Sequence, residues 1–155
     1  MLTVQQIMQG INAILVRLYP DRTVYIDVMP EKFERPSFFL RPAGRKITSR
    51  TVAVVEVEQM VTVQCFDEVG DRYETETARL YGVTDTLTAA FLQRGALHCG
   101  DRHLTADRVD VSRALDIADV TITVTYEDTR PAAPVTQPLV TDVTLGAQPN
   151  QKQEG

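Results

Sequence analysis

The run from Thr51 to Phe66, TVAVVEVEQMVTVQCF, keeps one alternation almost throughout: Ala53, Val55, Val57, Val61, Val63 and Cys65 are apolar, while Glu56, Glu58, Thr62 and Gln64 hold the other parity. Period two is the signature of a strand, whose successive side chains point to opposite faces. Gln59 alone interrupts the apolar parity, and no Gly or Pro breaks the run. At about 3.3 Å per residue the run would span roughly 50 Å, against a usual strand of about 5 to 6 residues. A strand of that length is expected to overhang its own domain and to want a neighbour, because bare strand edges are normally blunted or paired with another chain. That points to assembly before catalysis.

Around this strand the periodicity changes in both directions. Thr3 followed by Gln6 is a capping-box signal, and Val4, Ile7, Met8, Ile11, Ile14, Leu15 and Leu18 recur at helical spacing up to Tyr19-Pro20, which predicts a first helix. Val24, Ile26 and Val28 then alternate with Tyr25 and Asp27 as a strand, Phe38 to Leu40 reads as a second, and Pro42-Ala43-Gly44 is expected to turn from it into the long strand. The segment Asp67 to Asp71, DEVGD, ends that strand. Tyr73, Thr77, Leu80, Thr84, Leu87 and Phe91 step by three and four, predicting a second helix weakened by Gly82 and several threonines. Gly95 to Asp110 is expected as a hairpin turning at Gly100-Asp101, and Val120 to Tyr126 as a strand with Val120, Ile122, Val124 and Tyr126 on one face. The fold class is therefore α+β: a mixed or antiparallel sheet of about four to six strands, two helices packed on one face, and one long protruding strand or hairpin.

From Asp128 the character shifts, with prolines concentrated between Pro131 and Pro149 and a small polar end, AQPNQKQEG. Such composition suits an extended tail and not a core. The expected organisation is a domain over residues 1–127 and a Pro-rich tail over 128–155. Leu139 to Leu145, LVTDVTL, is the exception, alternating enough to add a strand to some sheet edge, its own or a partner's.

Composition narrows the function classes. A chain of 155 residues with 43% hydrophobic and 24% charged residues has an ordinary globular balance with room for one domain. The 21 acidic and 16 basic residues leave a net charge of −5, and no Lys/Arg cluster of the kind that tracks phosphate backbones occurs, which argues against tight nucleic-acid binding. Cys65 and Cys99 lack a disulfide-framework spacing and suit a reducing compartment. The start, MLTVQQIMQG, has no basic segment followed by an apolar one, and nowhere do about 18 apolar residues run together, so the chain is expected to be soluble and intracellular when made.

Candidate chemistry is sparse. His98-Cys99-Gly100-Asp101-Arg102-His103 gathers both histidines and one thiol and offers N, S and O donors to zinc, but its spacing matches no established site, and a solvated hairpin tip is the plainer reading. Cys99 has a histidine beside it but no recognisable orienting group for nucleophilic catalysis. Glu56 and Glu58 project from one strand face about 7 Å apart, a separation that paired carboxylates in glycoside hydrolysis also use, yet on a polar strand face carboxylates are more often solvated or paired across the sheet. No phosphate loop, dinucleotide fingerprint or metalloprotease helix occurs. No enzyme activity, metal or cofactor is expected.

Taken together, the capped helix TVQQIMQGINAILVRLYPDRTVYIDV, the short strand RPSFFLRP, the long strand into VTVQCFDE and the second helix resemble the small tail terminator proteins of long-tailed phages and phage-like particles, in particular those of Gram-positive prophages. The likeness covers about residues 1–127 and lies in element order and local phrasing; the Pro-rich end departs from the shorter relatives. It implies a structural virion protein that sits as a ring of six copies on the head-proximal end of the tail tube, stops tube polymerisation and joins the tail to the head-neck connector. The implied partners are further copies of the chain, the tail tube protein, and beyond these sheath and neck or connector proteins, with DNA only passing through the lumen and no membrane. The implied location is the virion tail, after assembly in the host cytoplasm. Glu56, Glu58, Thr62 and Gln64 on the long strand, with Asp67 and Asp71 in the loop after it, are the candidate contacts to tube or neighbouring copy. Competing readings are a neck or head-completion protein, a small ligand-binding or enzymatic α/β domain, and an adaptor of a toxin or secretion system.

Overall fold

The computed structural model describes residues 1–68, 77–114 and 116–132. The first helix, α1 (Val4–Leu18), begins as the sequence predicts: the Thr3 hydroxyl accepts the Gln6 amide at 3.1 Å while the Gln6 side chain accepts the Thr3 amide at 2.9 Å. Two amides that the helix leaves without partners are thereby satisfied. The helix stops at Tyr19, ahead of Pro20, whose ring disfavours helical geometry in the residue before it. Ile7, Met8, Ile11, Ile14 and Leu15 form its buried stripe.

The strands are β1 (Thr23–Ile26), β2 (Ser37–Ser49), β3 (Val54–Phe66), β4 (Leu97–Cys99), β5 (Arg102–Leu104), β6 (Ala106–Arg113) and β7 (Ile117–Thr129), with α2 (Thr77–Phe91) between β3 and β4. Five of them make one sheet in the order β1-β2-β3-β7-β6, parallel between β1 and β2 and antiparallel elsewhere, and β4-β5 is a separate two-stranded hairpin. The fold is α+β with a mixed sheet, as its patterning predicts.

β3 is the long strand of the sequence, and its odd residues Val55, Val57, Val61, Val63 and Cys65 are buried without exception. They join Phe38 and Leu40 of β2, Val120, Ile122 and Val124 of β7, the stripe of α1, and Leu80, Val83, Leu87 and Phe91 of α2 in one core. Burying each large aliphatic side chain contributes about 1.5–3 kcal/mol, so this single face supplies most of the driving force for folding. Both helices cover that face, and the opposite face of the sheet carries no helix among the described residues.

Three expectations are revised. Pro42-Ala43-Gly44 does not turn the chain. β2 runs through it with a register shift between Pro42 and Gly44, a bulge that accommodates the missing proline amide, and pairing with β3 continues from Gly44–Met60 to Ser49–Val55. The true turn is Arg50 to Ala53, where the Thr51 hydroxyl accepts the Ala53 and Val54 amides at 3.1 and 3.0 Å. The second revision concerns the long strand's neighbours. β3 is central, paired along its whole length by β2 and β7, so its edges are used within the chain. The segment 95–110 also divides: the hairpin turns at Gly100 with φ 60°, as expected, but only through Leu104, and β6 then joins the main sheet. The start of the second helix, the loop residue Asp71 and the alternating stretch Leu139–Leu145 lie outside the described residues.

Candidate assembly surface

On the helix-free face, β3 presents Glu56, Glu58, Met60, Thr62 and Gln64 down the middle of the sheet, because its odd neighbours are committed to the core. Cross-strand register places Thr48 and Glu127 beside Glu56, Lys46 and Thr125 beside Glu58, Arg41 and Thr121 beside Thr62, and Phe39 and Asp119 beside Gln64. The four residues singled out from the sequence are therefore one continuous line, flanked by threonines and charges of both signs. The Arg50 guanidinium donates to Glu56 at 2.6 Å, and this hydrogen bond holds the Arg50 pKa above its ordinary value. Arg50 also offsets what would be two like charges facing each other, Glu56 and Glu127. Thr62 differs from the others: it is buried among its neighbours, its hydroxyl 3.1 Å from that of Thr121. A shallow cleft of about 150 Å³ lies between Lys46, Thr48, Glu56, Glu58 and Thr125. Glu56 is thus paired with Arg50, and Glu58 stands beside Lys46 in the cross-strand register.

At one end of this face β2, β3 and β7 run out together as an arm. The Arg130 amide donates to the Ala53 carbonyl at 2.9 Å and its guanidinium to the Thr51 carbonyl at 3.1 Å, so the end of β7 is stapled to the turn. Val52 at the tip is 92% exposed, and Ile47 on β2, three residues before the turn, is also exposed.

At the other end, Asp67 is turned inward, only 1% exposed, and gathers elements far apart in the chain. Arg22 lies 3.6 Å from its carboxylate and Arg79 of α2 lies 3.1 Å away, while Arg35 donates to its backbone carbonyl at 3.1 Å and also pairs with Asp116 at 3.1 Å. Arg22 stacks over Tyr19 and Phe38, and Arg35 over Phe33 and Phe66. The Asp67 carboxylate is spent on contacts within the chain and is not displayed at the surface.

Several organising residues escape sequence reading. Gln59, the one polar residue on the apolar parity, is 1% exposed and donates to the Gly44 carbonyl at the bulge and the Met60 carbonyl, both at 2.9 Å. It accepts from Arg45 at 3.0 Å, and Arg45 in turn donates to the Leu2 carbonyl. The Leu2 amide donates to Asp128 of β7 at 2.7 Å. Burial works to raise the Asp128 pKa, but the amides of Leu2 and Thr129, the N-terminal ammonium and Arg102 outweigh it and hold the carboxyl below its ordinary value. The N-terminus is thus clamped to the end of β7, close to the turn. The only sequence signal was that Gln59 breaks an otherwise apolar face.

The histidine turn separates its groups. His98 and His103 face each other across β4 and β5 and stack at 4.4 Å in solvent, while Cys99 points into the core against α1. Burial pushes the Cys99 thiol up to about 11 and the Cys65 thiol up to about 12, which leaves both poor nucleophiles. Among the described residues no group of three or more His, Cys, Asp or Glu is placed to hold a metal ion, and no helix is long and apolar enough to cross a membrane.

A family model described as phage tail terminator protein matches residues 6–135. No curated protein matches the chain.

Proposed function

The chain belongs to the phage tail terminator family, a structural component of the phage tail, and on that premise we propose that it caps the head-proximal end of the tail tube as a ring, a geometric stop and not a chemical one. The observation that carries the reading is the family match across the whole described sheet and both helices. Six copies are proposed for the ring. Each copy offers tube-facing or neighbour-facing contacts through the polar line on the helix-free face, Glu56, Glu58 and Gln64 reaching outward and Thr62 buried between them and bonded to Thr121, and through the loop between Asp67 and Asp71.

The physical argument is one of unequal surfaces. Polymerisation continues when each added ring re-creates the surface it bound, and stops when it does not. A sheet with helices packed on one face and a polar row on the other has two dissimilar sides, so one side can match the tube while the other offers nothing for a further tube ring. The opposite side then serves the neck or connector, with sheath protein a further partner in a contractile tail. DNA passes through the lumen without being read, consistent with a net charge of −5 and no basic stripe.

An early stop codon in the gene, followed by negative-stain imaging of the released particles, tests this. Abnormally long tails without heads are expected. Tails of normal length beside unattached filled heads would move the protein to the neck, and intact particles would end the structural reading.

A further inference from the structure

The hairpin of β4 and β5 stands apart from the main sheet, and its turn decides which side chains face each other. The loop is Gly100-Asp101, with φ of Gly100 at 60°, and a left-handed glycine in the first loop position is the signature of the type II′ turn that suits a two-residue hairpin. The turn closes on the Cys99–Arg102 pair. The next pair out, His98–His103, is therefore of the non-hydrogen-bonded kind, in which the two backbones approach to about 4.5 Å between Cα atoms.

Alternation then sorts the side chains between two faces. Leu97, Cys99 and Leu104 are buried and join the core that α1 helps to build, and the fit is close: a Cβ at Gly10 would meet the His98 carbonyl oxygen at 2.8 Å and the Cys99 sulfur at 2.9 Å. Arg102 shares that inner face, held over the Tyr126 ring at 5.1 Å and 3.9 Å from Asp128, so its charge is drawn away from the outer face. His98 and His103 stand on the outer face, exposed, their rings 4.4 Å apart and 14° from parallel. The two histidines of the chain are thus brought to one point on a hairpin whose other face is fixed by packing.

Imidazole nitrogens suit zinc, nickel and copper ions, and two of them held side by side bind the ion twice without first being gathered. On one tetrahedral zinc, with Zn–N of about 2.0–2.1 Å, two nitrogens stand about 3.3 Å apart. Facing rings with centres at 4.4 Å reach that separation by tilting their nitrogen edges together, a movement open to exposed side chains. We propose that His98 and His103 together bind one divalent transition-metal ion of the zinc and nickel class, through one nitrogen of each ring. The ion clips β4 to β5 across the outer face of the hairpin. Its remaining positions are left to water, since no third His, Cys, Asp or Glu joins the pair among the described residues. Both cysteines are buried and take no part. Spacing along the chain hides such a site, because it is the turn that makes the two rings neighbours. The site stands apart from the tail reading and does not depend on it.

The test uses the full-length protein at neutral pH in a buffer that does not bind metals. With two histidines in the chain, proton NMR shows two imidazole spin systems, and paramagnetic Ni²⁺ broadens whichever ring it touches. Both rings are expected to broaden together at substoichiometric Ni²⁺, to sharpen again when Zn²⁺ in excess displaces it, and to ignore Mg²⁺, a hard ion that prefers oxygen ligands. His98→Gln and His103→Gln are each expected to weaken Ni²⁺ binding at the remaining ring by at least about tenfold, since a lone imidazole lacks the second contact. Both positions are exposed, so the urea midpoints of the variants without metal are expected to match that of the parent, which separates lost binding from lost folding. Zinc is expected to raise the unfolding midpoint of the parent and of neither variant. Rings that stay sharp, rings that broaden independently of each other, or a variant that binds as tightly as the parent would overturn the shared site.

Discussion

Replacing Asp67 with alanine separates a fold-organising carboxylate from a surface contact. Its side chain is 1% exposed and faces Arg22, whose own side chain is 10% exposed, at 3.6 Å. Breaking a buried ion pair from one side leaves an uncompensated charge and costs about 3–5 kcal/mol. Arg22 keeps its places over Tyr19 and Phe38, which retain about 0.5–2 kcal/mol of cation–π attraction and bring the loss to the lower end of that range. The Arg79 pair is half exposed and adds at most about 1 kcal/mol. The sum is about 3 kcal/mol, which for a chain of this size lowers the melting temperature by roughly 6–12 °C. Asp67→Asn keeps the shape and an oxygen for the Glu68 amide and is expected to cost about half as much. Urea unfolding of the isolated protein followed by circular dichroism measures both. An alanine variant within about 0.5 kcal/mol of the parent, the size of an ordinary surface change, would refute the reasoning.

Gly10→Ala should destabilise although alanine favours a helix by about 0.8–1 kcal/mol, because its Cβ would meet the His98 carbonyl oxygen at 2.8 Å and the Cys99 sulfur at 2.9 Å; a lowered urea midpoint checks this. Gln59→Leu strips the bulge carbonyl of Gly44 and the Arg45 guanidinium of a partner in a buried setting, for an expected loss of about 1–3 kcal/mol by the same unfolding assay. Glu56→Gln should leave stability within about 1 kcal/mol, since its pair with Arg50 is largely solvated, while tail-length distributions broaden if the polar line contacts the tube. Both thiols titrate above their ordinary value of 9.0 in the folded chain, near 12 and 11. The folded state therefore holds protons that the unfolded state gives up above about pH 9, so their contribution to stability is intact below that pH and lost as pH rises toward 11–12; unfolding midpoints between pH 8 and 11 read it out.

What could be read from the chain was local. The Thr3–Gln6 cap, the apolar stripe from Ile7 to Leu15, the alternation of β3 and β7 and the Gly100 turn are each carried by residues close in sequence, and each stands where expected. What could not be read was pairing between distant residues. Pro-Ala-Gly has turn chemistry, and nothing within it distinguishes a turn from a bulge; the distinction rests on β3 continuing to pair as far as Val55. Asp67 lies in a stretch that reads as a polar break, whereas its partners Arg22 and Arg79 arrive from other elements. The long strand suggested an open edge, but which strands are outermost depends on the sheet order, and among the described residues these are β1 and β6. On the helix-free face, Glu56, Glu58, Thr62 and Gln64 were legible as one row, while the Gln59–Arg45–Leu2–Asp128 clamp was not.

The central claim is that the protein halts growth of the tail tube by occupying its end. Tube protein polymerising in vitro, with purified protein added during growth and lengths measured by negative-stain electron microscopy, tests it most directly. Growth that stops on addition, with the protein found at one end of each tube, is the predicted result. Tubes that keep lengthening in its excess would contradict the account.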